Sequence, residues 1–440
     1  MNNIIELLNL KEKDIENLDV INEKDNSTSF YIKLKRKMEY CPTCGSMNIT
    51  VKEYKTKKIK HPILNGVKCN ILYKCRRYKC KLCGKTFCEE NSFVDKNSNI
   101  SKYTKVRILD MLKRPKNTFT SIAQECNVSP TKVIEIFDSL GNIKRNKLAK
   151  VICLDEYYDP STGIGKYNLV ILDFQKDEII DILPDRTKHY IQHYLQKFSK
   201  EELESVEHIS IDMWEPYKAI AEVYFKNARI SVDPFHVMKH VNSALDKVRL
   251  AVMRKYNKNS DEYYLLKKFC YLLFKNYNDI KYYEPKLNRR LGRYLNNEST
   301  LELILQIDST LNLAYDLKER YHRFNTTFKL QDKKDELKEI ISLCKQSKNE
   351  HLIALSKTLN HWYQEILNSF TFINGKRITN ALIESKNSLI RVITRNANGC
   401  TNFRRERNRI MYCFNKNIVF ETSNITIKRN SKLRGNYKSK

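Results

Sequence analysis

Three acids far apart in the chain carry the strongest chemical promise. Asp155 follows the apolar run VICL, Asp212 follows ISI, and Glu384 lies within IESKNSLIRVITRNANG. If the first two end adjacent parallel strands, their carboxylates stand a few ångströms apart and repel each other unless divalent cations bridge them. Magnesium or manganese is the ion that hard carboxylates suit. Two such ions can activate a water or a 3′ hydroxyl and stabilise the leaving oxygen. Each acid also has a plain structural reading. Strand-end acids cap turns and helices, and Glu384 could be a solvated partner for Lys386 or Arg391.

A second constellation is made of thiols. CPTCG, 41–45, and CKLCG, 80–84, each place two cysteines around two intervening residues and close on a glycine. Cys41, Cys44, Cys80 and Cys83 thereby form a tetrahedral zinc set, and the stretch between the pairs reads as a hairpin, the pattern of a zinc ribbon. The structural ion substitutes for a core too small to hold itself together. Chance pairs or a redox dithiol are the competing reading. Cys75 and Cys88 flank the second pair as alternates. Arg76, Arg77 and Lys79 beside it meet phosphates or form a solvated face. An odd total of 13 cysteines points to a reduced compartment rather than a disulfide scaffold.

These residues need elements to position them. YTKVRILDMLK and TFTSIAQECNVSPTKVIEIFDSLG give three helical patterns between 103 and 140. Ser129 can cap the last of them, with Pro130 in its first turn, and Val133, Ile134 and Phe137 give it a buried face. The arrangement fits a helix-turn-helix, with Thr131, Lys132 and Glu135 exposed to read DNA; a three-helix spacer is the bland alternative. Downstream, VICLDEYYD, KYNLVILDFQ and EIIDILPD read as a meander. A helix, the strand HISIDMWEPY, another helix and the strand ARISVDPFH follow. That order fits a ribonuclease-H-like sheet with helices on both faces.

The last strand opens into ISVDPFHVMKHV, 230–241. His240 lies four residues after His236, on the same helix face, so Asp233, His236 and His240 could hold a transition metal. A histidine hydrogen-bonded within the core is the more ordinary reading. Arg391, Arg395, Arg404, Arg405, Arg407 and Arg409 form the densest arginine cluster in the chain, and an acid beside such a cluster is what a DNA-cleaving centre needs.

The whole chain leans the same way. Its 440 residues carry 80 Lys and Arg against 51 Asp and Glu, a formal charge of +29, which a polyphosphate partner would compensate. No run of about 18 apolar residues occurs, so no membrane span is expected, and the first residues lack a secretion signature. A cytoplasmic protein that binds nucleic acid is the expectation.

An ordered set of landmarks then carries a resemblance: CPTCG and CKLCG, LDEYYD, LPDRTKHY, ISIDMWEPY, VDPFHVMKHVNSALDKVR, and NALIESKNSLIRVITRNANGCTNFRRERNR. In this order, over almost the full length, they resemble bacterial ISL3-family transposases, a group with a DDE catalytic domain. The resemblance implies Asp155, Asp212 and Glu384 as the catalytic, magnesium-holding triad. It implies Asp233 and His236 as supports that orient the sheet edge rather than as metal ligands. Asn380, Asn387, Arg395, Ala397, Gly399 and Arg186 match further family positions, and Trp362 is implied near the substrate, although its periodicity fits a core residue equally. Ser385 and Ala381 stand where the family usually has glycine, and Cys400 where an aromatic is common.

The expected fold is therefore a multidomain α+β chain. Residues 1–38 form an amino-terminal helical and basic segment, 39–92 a zinc ribbon, and 100–142 a helix-turn-helix. Residues 150–240 with 371–415 form the ribonuclease-H-like α/β catalytic domain, 241–370 an all-helical insertion, and 416–440 a basic tail. The expected activity is phosphodiester hydrolysis at insertion-sequence ends and strand transfer into target DNA. The alternative is a non-catalytic, sequence-specific DNA-binding regulator or a decayed transposase. Expected partners are double-stranded DNA, as terminal inverted repeats and target, and further copies of the chain as a homodimer or higher oligomer. Arg76, Arg77, Thr131, Lys132, Arg391, Arg395, Arg404 and Arg405 are the expected DNA contacts.

Overall fold

The computed structural model describes residues 11–421, apart from 65, 163, 328–332 and 398–399. The chain divides into two compact units, 1–144 with 389–440, and 145–388.

In the first unit, strands β1 (Ile15–Asn22), β2 (Thr28–Leu34), β3 (Ile49–Leu64), β4 (Val67–Cys80) and β5 (Thr86–Cys88) form one sheet. Its order is β1-β2-β4-β3, with β5 also on β4. The expected hairpin between the cysteine pairs is β3–β4, two long antiparallel strands. Gly66 at their turn takes φ 80, a conformation that only glycine adopts cheaply. The described part of 1–38 corrects the expectation of a helical segment: 15–34 is a β-hairpin. Its second strand, TSFYIKL, alternates inward and outward, the period of a half-buried strand. That strand pairs parallel with β4, so it belongs to the same sheet as the cysteine-bearing hairpin. Ile32, Ile59, Ile71, Tyr73, Phe93 and Val94 form the small core beneath.

Three helices follow: α1 (Lys102–Leu112), α2 (Phe119–Glu125) and α3 (Pro130–Asp138). Ser101, Thr118 and Ser129 cap them, each accepting a bond from a first-turn amide. Asn127 turns the chain between α2 and α3 at φ 55. The buried face of α3 is Val133, Ile136 and Phe137; Ile134, expected inside, is only half-buried. A short strand β6 (Asn142–Ile143) pairs with Phe420–Glu421. The helix Phe403–Phe414 packs into this same unit. Asn408 donates to the Gly141 carbonyl at 3.1 Å, and Arg409 to the carbonyls of Arg114 and Asn117 at 3.0 and 3.1 Å. Residues 389–415 therefore group with the amino-terminal elements, not with the central sheet as expected. The basic tail lies outside the described residues from 422 onward.

The second unit is built on β7 (Val151–Tyr158), β8 (Tyr167–Asp173), β9 (Glu178–Leu183), β10 (His208–Ile211) and β11 (Arg229–Val232), in the order β11-β10-β7-β8-β9. β7, β8 and β9 pair antiparallel, a meander, whereas β10 runs parallel to both β7 and β11. Near-continuous apolar runs such as VICL and NLVIL are what strands covered on both faces require. Helices α4 (Lys188–Leu195), α5 (Lys200–Glu204) and α6 (Glu215–Tyr224) lie along the chain between the strands. α7 (Pro234–Met253) leads out of β11.

The stretch 241–370 is mostly helical but not wholly so, since Lys286–Asn288 and Arg293–Leu295 pair as a small hairpin. Nor does it have a core of its own. One buried cluster runs from Ile152, Ile171 and Ile209 through Val241 and Val248 to Leu311, Leu359 and Trp362. Burying the sheet face and the helices together removes a common apolar surface from water. Trp362 is a core residue, 4 % exposed, with the Lys218 ammonium 5.1 Å from its ring centroid.

Candidate active site

Strand register, more than strand ends, assembles the acids. The parallel β10–β7 ladder pairs Ser210 with Cys153, and the β10–β11 ladder pairs Ile211 with Val232. Continuing both ladders puts Asp212 on one rung with Asp155 on one side and Asp233 on the other. Side chains on one rung of adjacent strands point to the same face. Asp155 does not end its strand, as the sequence implied; it is the fifth of eight residues in β7, so its backbone is held from both directions.

One oxygen from each of Asp155, Glu156 and Asp212 lies within 4.8 Å of the others. A second group joins Asp233, His236 and Glu384 within the same distance. The groups meet where His236 Nε2 stands 3.1 Å from Asp212 Oδ1. Glu384 thus comes to the site beside Asp233 and His236, not within the tight group of the two other expected acids. His240 is in neither group.

Asn380, immediately before the helix Ala381–Asn396, ties these strands together. Its backbone N–H donates to Asp233 Oδ1 at 2.9 Å. Its amide NH2 donates to the Leu154 carbonyl at 3.1 Å and to Asp212 Oδ1 at 3.3 Å, and its Oδ1 accepts from Ser210 Oγ at 2.9 Å. Two turns along, Asn387 donates to Asp155 Oδ2 at 2.8 Å. Both asparagines are buried. Asp233 also caps α7, accepting from the Phe235 N–H at 3.1 Å.

The field at the site is strongly negative. Burial pushes Asp155 up to about 7, against the pull of the Glu156 amide, and the charges of Glu156, Glu384 and Asp233 raise it further. Burial and then Asp155, Glu156 and Asp233 push Asp212 up to about 8, with the Asn380 amide pulling the other way. Glu384 is raised by burial and then by Asp233. His236 is lowered, chiefly by burial, with the charge of Asp233 pulling the other way. A divalent cation would relieve this crowding, and the donor set of carboxylates and one imidazole fits such an ion.

Glu156 is the acid that reading by motif missed. It adjoins Asp155, and strict alternation assigns it to the opposite face. It accepts from Tyr217 Oη at 2.7 Å and pairs with the Arg186 guanidinium. Arg186 is itself held over the rings of Tyr167 and Trp214, 4.3 and 4.8 Å from their centroids.

In the other unit the four thiols of Cys41, Cys44, Cys80 and Cys83 lie within 4.8 Å of one another. Cys41 and Cys83 are 3.5 Å apart, and Cys44 and Cys80 3.6 Å. Gly45 and Gly84 take φ 68 and 70 and close each knuckle, their N–H groups donating to the Cys41 and Cys80 carbonyls at 2.9 and 3.1 Å. The Thr43 amide is the main influence drawing Cys41 down to about 6, and the Cys83 amide leads in lowering Cys80, whereas Cys44, against the pull of the Ser46 amide, is pushed up to about 12 by burial and by its neighbouring thiols. Thiolates are the form that binds zinc. Cys75 and Cys88 stay outside the group.

The expected DNA contacts separate into two kinds. Arg76 corrects the sequence reading: it is 3 % exposed and ion-paired with Glu89 at 2.9 Å and Glu16 at 2.5 Å, so it meets neither solvent nor phosphate. Arg77 pairs with Glu53, Arg405 with Asp138, and Lys132 with Glu135, each at the surface. Thr131, Arg391, Arg395 and Arg404 are exposed.

With that geometry established, the comparisons give a family. A model described as a transposase, of the DDE ISL3 type, matches residues 152–410. That span exceeds half of the chain and contains every acid of the site: the chain belongs to the ISL3 family of DDE transposases, and its role is that of a transposase, a DNA-modifying enzyme. No curated protein matches it.

Proposed function

We propose that the chain cuts insertion-sequence ends by metal-dependent phosphodiester hydrolysis and joins the freed 3′ hydroxyl to target DNA. The supporting observation is the single rung of Asp155, Asp212 and Asp233, with Glu384 brought beside it by the helix that follows Asn380. On this reading 145–388 is the ribonuclease-H-like catalytic part, the cysteine-bearing sheet is a zinc ribbon, and α1–α3 are a helix-turn-helix that recognises element ends. Divalent ions, when bound, lower the pKa of attacking water and offset charge on the leaving oxygen.

The protein's own contribution is placement. Asn387 fixes the Asp155 carboxylate, Asn380 fixes those of Asp212 and Asp233, and Arg186 and Tyr217 each hold one oxygen of Glu156. Holding the carboxyl groups together before the ion arrives preorganises the centre for the charge that develops during cleavage. Thr131, Lys132, Arg391, Arg395 and Arg404 grip phosphates.

The test is cleavage of inverted-repeat DNA with magnesium. Asp155→Asn and Asp212→Asn are expected to abolish strand cleavage while binding to the repeats survives. Undiminished cleavage by either variant removes the assignment.

A further inference from the structure

The acids of the centre fall into two donor sets of different chemistry. Asp155, Glu156 and Asp212 offer oxygen alone. Asp233, His236 and Glu384 offer two carboxylates and an imidazole. We propose that Asp233, His236 and Glu384 form a distinct metal position with a nitrogen ligand, one that takes a first-row transition ion such as Mn2+ in preference to Mg2+. This rests on reading the acids as a metal centre, and it gives His236 a ligand's part in place of a supporting one.

Several observations converge on it. Asp233 is 2 % exposed, and both its oxygens are oriented by backbone amides, Asn380 N–H on Oδ1 and Phe235 N–H on Oδ2. Each oxygen retains a lone pair for an ion. His236 follows at the third position after the cap, on the face of α7 that Asp233 begins. Glu384 is set by the same residue that sets Asp233: its N–H donates to the Asn380 carbonyl at 2.9 Å, in the first turn of its helix. One residue therefore fixes two of the three ligands relative to each other. Asp233 is buried, but Glu384 is exposed and His236 half-buried, so the position is open to solvent and to a phosphate oxygen.

The contact between His236 Nε2 and Asp212 Oδ1, 3.1 Å, fits the same assignment. Adjacent ligands of an octahedral ion, at about 2.1 Å from it, stand about 3 Å apart. Asp212 is thus placed to be shared between the two positions. The opposing account is that His236 only hydrogen-bonds Asp212 and never touches an ion. Imidazole nitrogen favours transition ions over magnesium, which prefers oxygen and water, so the two accounts predict different ion preferences.

The experiment uses full-length protein loaded with Mn2+, read by electron paramagnetic resonance. Pulsed spectra of the wild type are expected to show 14N modulation from a directly bound imidazole. His236→Gln is expected to lose it and to bind Mn2+ at least about tenfold more weakly. Asp155→Asn is expected to keep it. Circular dichroism and thermal melting confirm that each variant folds, and His240→Gln, which is expected to keep the modulation, guards against assignment to the neighbouring histidine. Absence of 14N modulation in the wild type, or its persistence in folded His236→Gln, overturns the inference. Nitrogen coupling with no DNA cleavage upholds this metal position and counts against the proposed reaction. Cleavage that depends on Asp155, without nitrogen coupling, does the reverse.

Discussion

Asn380 carries more of the site than any of the acids. It contacts β7 through the Leu154 carbonyl, β10 through Ser210 and Asp212, and the start of α7 through Asp233. Replacing it with alanine keeps the backbone bond to Asp233 but strands the hydroxyl of Ser210 and the carbonyl of Leu154. Each buried group left without a partner costs about 1–3 kcal/mol. Asn380→Ala is therefore expected to lower the chemical-denaturation midpoint and to reduce cleavage more than repeat binding. A variant with wild-type stability and cleavage would show that the network is dispensable. At this scale the sequence marks acids that the structure gathers, because an acid after an apolar run is a recognisable local pattern, whereas Asn380 and Asn387 stand out only through the family resemblance. It was a poor guide to partners. Arg76 beside a cysteine pair looks like a phosphate contact, and only the packing of Glu16 and Glu89 around it makes it part of the interior.

Among the elements, the cysteine hairpin makes the plainest prediction. Its sheet has a small core, so an ion held by four thiolates contributes folding energy directly. Purified protein is expected to contain one zinc bound through these cysteines, measured by elemental analysis and thiol titration. Cys80→Ser is expected to lose that zinc and to expose the β3–β4 hairpin to protease, with the fold of 145–388 retained by limited proteolysis. Full zinc content in Cys80→Ser would place the ion elsewhere. The elements themselves were mostly legible. Ser129 before Pro130 forecast a capped helix, and successive apolar runs forecast the meander. The hairpin at 15–34 was missed because its first strand is largely exposed and carries little alternation; its place is set by the pairing of β2 with β4, a contact between residues far apart in sequence.

Across the whole molecule, buried histidines set a pH dependence. His208 lies within β10, hydrogen-bonded to Ser231 Oγ at 2.8 Å, and burial lowers it to about 4. Its unfolded value is near 6.5. The unfolded chain therefore binds the extra proton first, so this residue's contribution is full above about 6.5 and is lost as pH falls toward 4. The stability difference between wild type and His208→Asn is expected to shrink between pH 7 and pH 5, measured by urea unfolding at each pH. A difference that does not change with pH would mean the imidazole titrates normally.

By itself, the sequence determined the chemistry available to this protein: four thiols in two knuckles, a net positive chain, and acids spaced among strand and helix patterns, all of them local signals a few residues long. Tertiary structure alone decided which acids meet. Parallel register set Asp155, Asp212 and Asp233 on one rung, and Asn380 brought Glu384 to Asp233 and His236 from about 150 residues away in the chain. Such pairings depend on distant segments burying a common core, and no local pattern encodes that geometry.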